Sequence, residues 1–288
     1  ILPFALGLML AVAVTVVVDR RDGGWFLYYM FGIAIAHQIK WSYLLLFWTR
    51  DMFTTVPIAM VLGGVVLLPA VVPARRRYAY LAVAAGLLAL SWRARMNVGG
   101  YLNSLMPAFA LLSLLFGIGW HAVRAEQADE APSARRATAP WLTLAVLAQL
   151  AFLVTNPRSV LPSAADRAAG NTLVSALAAD AGEVWVPAHP YLTRLAGKTP
   201  FAHEMAISDV LLDPGSEATR ELRASVERAL AEHRFTAIVL DGESLVRRDV
   251  ERCYAPATPV FTDPGVFWPA TGWRTRPATV YLPRAACS

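Results

Sequence analysis

Two arginines two residues apart, Arg93 and Arg95, stand just before a polar turn, Asn97-Val98-Gly99-Gly100-Tyr101-Leu102-Asn103. Beyond the turn the chain runs apolar from Leu105 to Ile118. Cations at the mouth of such a helix are costly to bury, so they belong at a membrane interface or in a polar cavity. The anion that suits them is phosphate, to which a guanidinium offers a fork of donors. Tyr101 and Asn103 add groups that can hydrogen-bond a phosphate or a sugar. A second basic pair, His37 and Lys40, is three residues apart, the spacing of one helix face. Each set also has a plainer reading. Arg93 and Arg95 would anchor helix ends in the headgroup layer, and His37 with Lys40 would form an aromatic–basic interface anchor.

Other motifs carry less. Gly197-Lys198-Thr199 matches the end of a phosphate-binding loop, but the glycine that the pattern needs earlier is replaced by Leu192. Asp241-Gly242-Glu243 ends a predicted strand and reads either as a metal-chelating acidic pair for a sugar nucleotide or as a surface turn. His189, His203, Glu204 and Asp209 lack the tight spacing of metal ligands and read as ordinary structural residues, so no metal is expected. No nucleophile-elbow pattern supports Ser–His–Asp catalysis.

The elements that must position these residues follow from composition. Of 288 residues, 56% are hydrophobic and 16% charged; the mean hydropathy is +0.45. Soluble domains average roughly 45–50% apolar and about 25% charged, so this is the composition of a membrane protein. The net charge of +5 would suggest nucleic acid in a soluble chain. Here the arginines lie in short loops beside apolar runs, the bias that orients membrane proteins, and no nucleic-acid partner is expected. The sequence opens at Ile1 inside an apolar run and is expected to be the C-terminal portion of a longer protein.

The expected fold class is an α-helical multi-span membrane bundle over residues 1–155, followed by a small extracytoplasmic α/β domain over 156–288. About five spans are predicted: Ile1–Val18, Asp51–Val72 (ended by Pro69 and Pro73), a short Tyr78–Trp92, Asn103–Val123 and a short Pro140–Thr155. Residues 19–50, dense in aromatics, read as a loop with an interfacial helix. Arg75–Arg77 and the loop from Arg124 to Arg136 fall on one side, which the positive-inside rule makes cytoplasmic. The 19–50 loop, the Arg93–Asn103 turn and everything after Asn156 then share the opposite side. In the C-terminal part, Asn171–Ala181 and Ser216–His233 predict helices, and Glu183–Ala188 and Thr236–Asp241 predict buried strands of a parallel sheet. Val280–Leu282 predicts an added edge strand. Cys253 and Cys287, the chain's two cysteines, are free to pair or not in an oxidising compartment.

The order GGWFLYYMF, then H-x-I-x-W, FWTRD, a basic loop and R-x-R-x-N-x-GGYLN-x-LMPAFALL resembles bacterial GT-C-type membrane glycosyltransferases. These are the relatives of protein mannosyltransferases and lipid A aminoarabinose transferases. The likeness covers about residues 1–155. It implies transfer of a sugar from a polyprenyl-phosphate donor to an extracytoplasmic acceptor at the plasma (inner) membrane. Membrane lipid and lipid-linked sugar are then the partners, with that donor as substrate and no certain cofactor. Arg93, Arg95, His37 and Lys40 would bind the donor phosphate, with Tyr101 and Asn103 hydrogen-bonding sugar or phosphate. The resemblance places the catalytic carboxylate in a first extracytoplasmic loop, expected before Ile1. Asp22 is the acidic candidate on the right face, and it also reads as a loop cap beside Arg20 and Arg21. Two other classes stand beside this one. A membrane-anchored protein displaying an α/β binding domain fits the same layout. A transporter would show repeats or mid-helix charges, which these apolar runs lack.

Overall fold

The computed structural model describes residues 2–68, 71–129 and 132–287. Ile1 and Pro69 lie outside the described residues, as do the side chains of Arg135 and Arg136. The chain separates into two compact units, one of residues up to Ala36 and from Asn156 onward, the other of His37–Thr155. One of these boundaries falls where the texture of the sequence changes, after residue 155.

The chain opens with α1 (Leu2–Arg21) and a helical run, α2 (residues 25–36), that is π-helical over Tyr28–Gly32. Asp19 caps the second of these, its carboxylate accepting from the Leu27 amide at 2.9 Å. The unit of residues 37–155 begins with an extended connection over residues 37–40. Helix α3 (Tyr43–Phe53) follows, then α4 (Pro57–Val65), bent by 92° from it. The predicted span Asp51–Val72 is broken at this bend. Thr55 turns its hydroxyl onto the Arg50 carbonyl at 3.2 Å, and Pro57 can only begin a new helix. Next come α5 (Ala74–Met96), α6 (Met106–Asp129) and α7 (Pro132–Leu153).

Orphan amides at these helix starts are met by side chains from other helices, as an apolar surrounding requires. Gln149 of α7 accepts from Ile58 at 2.7 Å and Ala59 at 3.3 Å. Ser91 of α5 accepts from Ala108 at 3.1 Å. Helices α4 and α6 cross closely because Gly119 lies against the Leu62 carbonyl, where any Cβ would collide. Two helical stretches among the described residues, Leu102–Ala125 and Pro140–Val160, are long and apolar enough to cross a membrane, three if the bent pair is one span. The sequence reading expected about five. Helix α5, expected as a span, carries arginines at both ends and does not reach that standard.

The second unit is completed by α8 (Ala164–Ala179), β1 (Glu183–Trp185), α9 (Pro190–Leu195), α10 (Glu204–Leu211), α11 (Glu217–Ala231), β2 (Phe235–Asp241), α12 (Arg247–Cys253), β3 (Tyr254–Pro259) and β4 (Pro277–Pro283). The sheet order is β1-β2-β4-β3. Only β1 and β2 are parallel; β4 runs antiparallel to both its neighbours. The sheet is therefore mixed, where a parallel core was expected. The C-terminal strand is interior, and β3 takes the edge. Strand β2 reads as a continuous apolar run because both faces are covered. Ala237 and Val239 pack with Leu173 and Leu177 of α8, whereas Ile238 and Leu240 pack with Ile207, Leu230 and Val250. Cys253 and Cys287 form a disulfide across 34 residues, closing a loop that such a link stabilises by about 3–4 kcal/mol.

Helix α8 starts with a reciprocal capping box. The Ser163 hydroxyl accepts from the Asp166 amide at 3.1 Å, and Asp166 accepts from the Ser163 amide at 2.9 Å. The other Asp166 oxygen accepts from Phe267, at 2.6 Å, whose backbone is left-handed. The Ser163 side chain first, then the Phe267 and Ser163 amides, hold the Asp166 carboxyl below its ordinary value. A depressed folded value adds stability above the unfolded one, near 3.9, and loses it as pH falls through the folded value. Thermal melts of wild type and Asp166→Asn should thus differ at pH 7, with wild type the more stable, and converge below about pH 4. A gap independent of pH would show that Asp166 acts without its charge.

Candidate functional site

The expected basic residues gather at one end of the 37–155 unit, through a contact of backbone with backbone. Ile39 and Asn97 form an antiparallel bridge. The Lys40 amide donates to the Met96 carbonyl at 2.7 Å, and the Val98 amide to Gln38 at 2.9 Å. His37 and Lys40 therefore sit on an extended segment laid along the polar turn, and the expected common helix face does not exist. Lys40 and Arg93 are exposed, and His37 is half-buried. Arg93 spends one of its donors on the Asn97 side-chain oxygen; a guanidinium has five N–H groups. Tyr101 and Asn103 are exposed on the same turn, at the mouth of α6.

Arg95 is placed differently from Arg93, although two residues separate them. Its side chain is 7% exposed, and its Nε donates to Asp51 at 2.7 Å, a carboxylate 4% exposed. A second donor goes to the Gly100 carbonyl. The guanidinium also lies 4.5 Å from the centroid of the Tyr43 ring, a cation–π contact. Beside this pair stands Arg50, which donates to the Tyr43 hydroxyl at 2.7 Å and to Asp51 at 3.3 Å. Arg95 is thus committed inward and holds the turn. Gly100 must be glycine here, because a side chain would run into the Ala94 carbonyl.

Asp22, the weak acidic candidate, is exposed in the turn that ends α1, in the other unit. Glycines 23 and 24 with positive φ shape that turn, and Asp19 rather than Asp22 supplies its cap. Of the set His189, His203, Glu204 and Asp209, His189 turns to Asp241, and His203 caps α10 through the Met205 amide at 3.0 Å. Glu204 accepts from the Ser244 hydroxyl. Among the described residues no three such side chains gather as metal ligands would.

Sequence reasoning missed Asp51 and the pairing of His189 with Asp241. A lone carboxylate opening an apolar run was the available signal for Asp51, since intramembrane charges take partners. His189 and Asp241 were each singled out, but no spacing rule joins residues that far apart. At the second site His189 Nε2 lies 2.9 Å from Asp241 Oδ2, and the Thr275 hydroxyl donates to the same oxygen. Tyr191 is half-exposed beside His189, and partial burial, then the Asp241 charge, raise its hydroxyl above the ordinary value.

Breaking a buried ion pair from one side leaves an uncompensated charge, at about 3–5 kcal/mol. Asp51→Leu or Arg95→Met alone should each cost about that much in unfolding of the protein in detergent, and the double variant far less than their sum. Additive losses would show that the two side chains do not share a buried pair. Comparison with known protein families, with curated proteins and with solved structures finds no match to this chain.

Proposed function

We propose that this chain belongs to a plasma-membrane glycosyltransferase that takes sugar from a polyprenyl-phosphate donor and passes it to an extracytoplasmic acceptor. In this reading the apolar helices of the 37–155 unit stand in the bilayer, and the α/β unit stands outside the cytoplasm. The observation that supports this reading best is the Ile39–Asn97 bridge. It lays the segment that carries Lys40 along the turn that follows Arg93, and both cations are exposed. The mouth of an apolar helix is where the phosphate of a lipid-linked donor lies when its chain is in the bilayer.

The chemistry asked of these cations is electrostatic. As the glycosidic bond breaks, the leaving polyprenyl phosphate gains negative charge, and preorganised donors beside it lower the barrier. Arg93 presents a planar fork and Lys40 a point charge, and the two suit adjacent phosphate oxygens. Arg95 acts as a positioning residue: with Asp51 it fixes the turn that carries Arg93, Tyr101 and Asn103. Tyr101 and Asn103 are placed to hydrogen-bond the phosphate or its sugar.

Binding of a polyprenyl phosphate to the protein in lipid nanodiscs separates this reading from a non-catalytic anchor. Wild type should prefer the phosphate over the neutral polyprenol. Arg93→Ala with Lys40→Ala should lose roughly tenfold or more, as two charge-assisted contacts disappear. Sugar release from a polyprenyl-phosphate sugar should fall in parallel. Equal binding of phosphate and polyprenol, or unchanged binding by the double variant, would return these cations to the role of interface anchors.

A further inference from the structure

Strand β1 ends at Trp185 opposite Ile238, three residues before the parallel β2 ends at Asp241, and the segments that leave the two strands carry a second built constellation. In open α/β sheets, ligands bind in the crevice beyond the carboxyl ends of such strands. The loop after β1 supplies His189 and the first turn of α9 supplies Tyr191; β2 ends on Asp241, and Thr275 precedes β4. The Asp241 side chain is 0% exposed, while His189 reaches the surface at 16%. One carboxylate oxygen takes both His189 and Thr275; the other, Oδ1, is buried with no hydrogen-bond partner.

We propose that His189, Tyr191 and Asp241 form a binding site for a neutral carbohydrate. The carboxylate fixes the imidazole proton on Nε2, so Nδ1 is left as an oriented lone pair. A sugar hydroxyl donates to that nitrogen. The Tyr191 ring, 53% exposed and edge-on to His189 at 5.9 Å between centroids, offers its electron-rich face to the C–H face of the sugar. Asp241 Oδ1, buried without a partner, is the acceptor that a bridging water completes.

The charges here select against an anion. The nearest guanidinium, Arg247, donates to the Asp241 and Gly242 carbonyls at 2.8 and 2.7 Å and to the Tyr281 hydroxyl at 2.7 Å. Those donors are spent on the strand end and on Tyr281 and are not offered to an anion. A few convergent polar groups beside one aromatic face is the make-up of a small-molecule site. This assignment does not depend on the donor-phosphate reading, since it concerns the α/β unit and reads binding without turnover.

The test is saturation-transfer NMR of the full chain in nanodiscs against methyl glycosides of mannose, galactose, glucose and arabinofuranose. Wild type should transfer saturation to the ring protons of at least one glycoside. Tyr191→Ala and His189→Gln, both at the surface, should weaken that binding roughly tenfold, as should Asp241→Asn. Thermal melting checks that each variant stays folded. No transfer to any glycoside from wild type would overturn the proposal. So would binding unchanged in Tyr191→Ala and His189→Gln, or displacement of the glycoside by inorganic phosphate.

Discussion

A single buried ion pair, Asp51 with Arg95, governs the polar end of the 37–155 unit. Asp51 lies at the end of the helix before the bend, and Arg95 lies at the end of the long α5 helix. Their contact at 2.7 Å joins two segments that are 44 residues apart. Neither charge could be left alone at this depth, so the rest of the local structure is arranged to satisfy them. Arg95 reaches on to the Gly100 carbonyl, Tyr43 lies against its guanidinium, and Arg50 covers the far side of Asp51. The turn from Asn97 to Asn103 is consequently held at its start by the Ile39 bridge and at its middle by Arg95.

That division of labour explains how two arginines in one short motif differ. The inward one stabilises and positions, while the outward one, Arg93, stays exposed. A phosphate site built only of exposed cations would be poorly preorganised; one backed by a fixed turn is not. The same helices settle their remaining backbone polarity with side chains. Gln149 and Ser91 cap helix starts from neighbouring helices, so α4, α5, α6 and α7 are tied by hydrogen bonds as well as by packing. In an apolar surrounding such ties cannot be replaced by water.

Much of the fold was legible in the residues. The change of texture after residue 155, the strands around Val184 and Val239 and the amphipathic α11 follow from period and run length. The mixed sheet was not legible, because β4 lies in a proline-rich stretch whose pairing depends on partners distant in sequence. The break at residues 54–56 was hidden inside an apolar run that, by hydropathy, passes for one span. At the site, Arg93 and Lys40 were found as residues, but the meeting of their two segments rests on a backbone bridge that leaves no side-chain signature. Arg95 looked equivalent to Arg93 because sequence shows spacing and conceals which side of a helix end faces a carboxylate. Asp51 was passed over as the first residue of a span, although a charge there needs a partner.

The central claim is that the buried pair holds the basic turn against the 37–40 segment. Spin labels at positions 38 and 98, in the protein reconstituted in lipid, report on it directly. The chain's two native cysteines are joined in a disulfide and leave the introduced ones selective. The account predicts one short, narrow inter-label distance in wild type that broadens when Arg95→Met or Asp51→Leu removes one partner. A distribution already broad in wild type, or one that neither substitution changes, would contradict it.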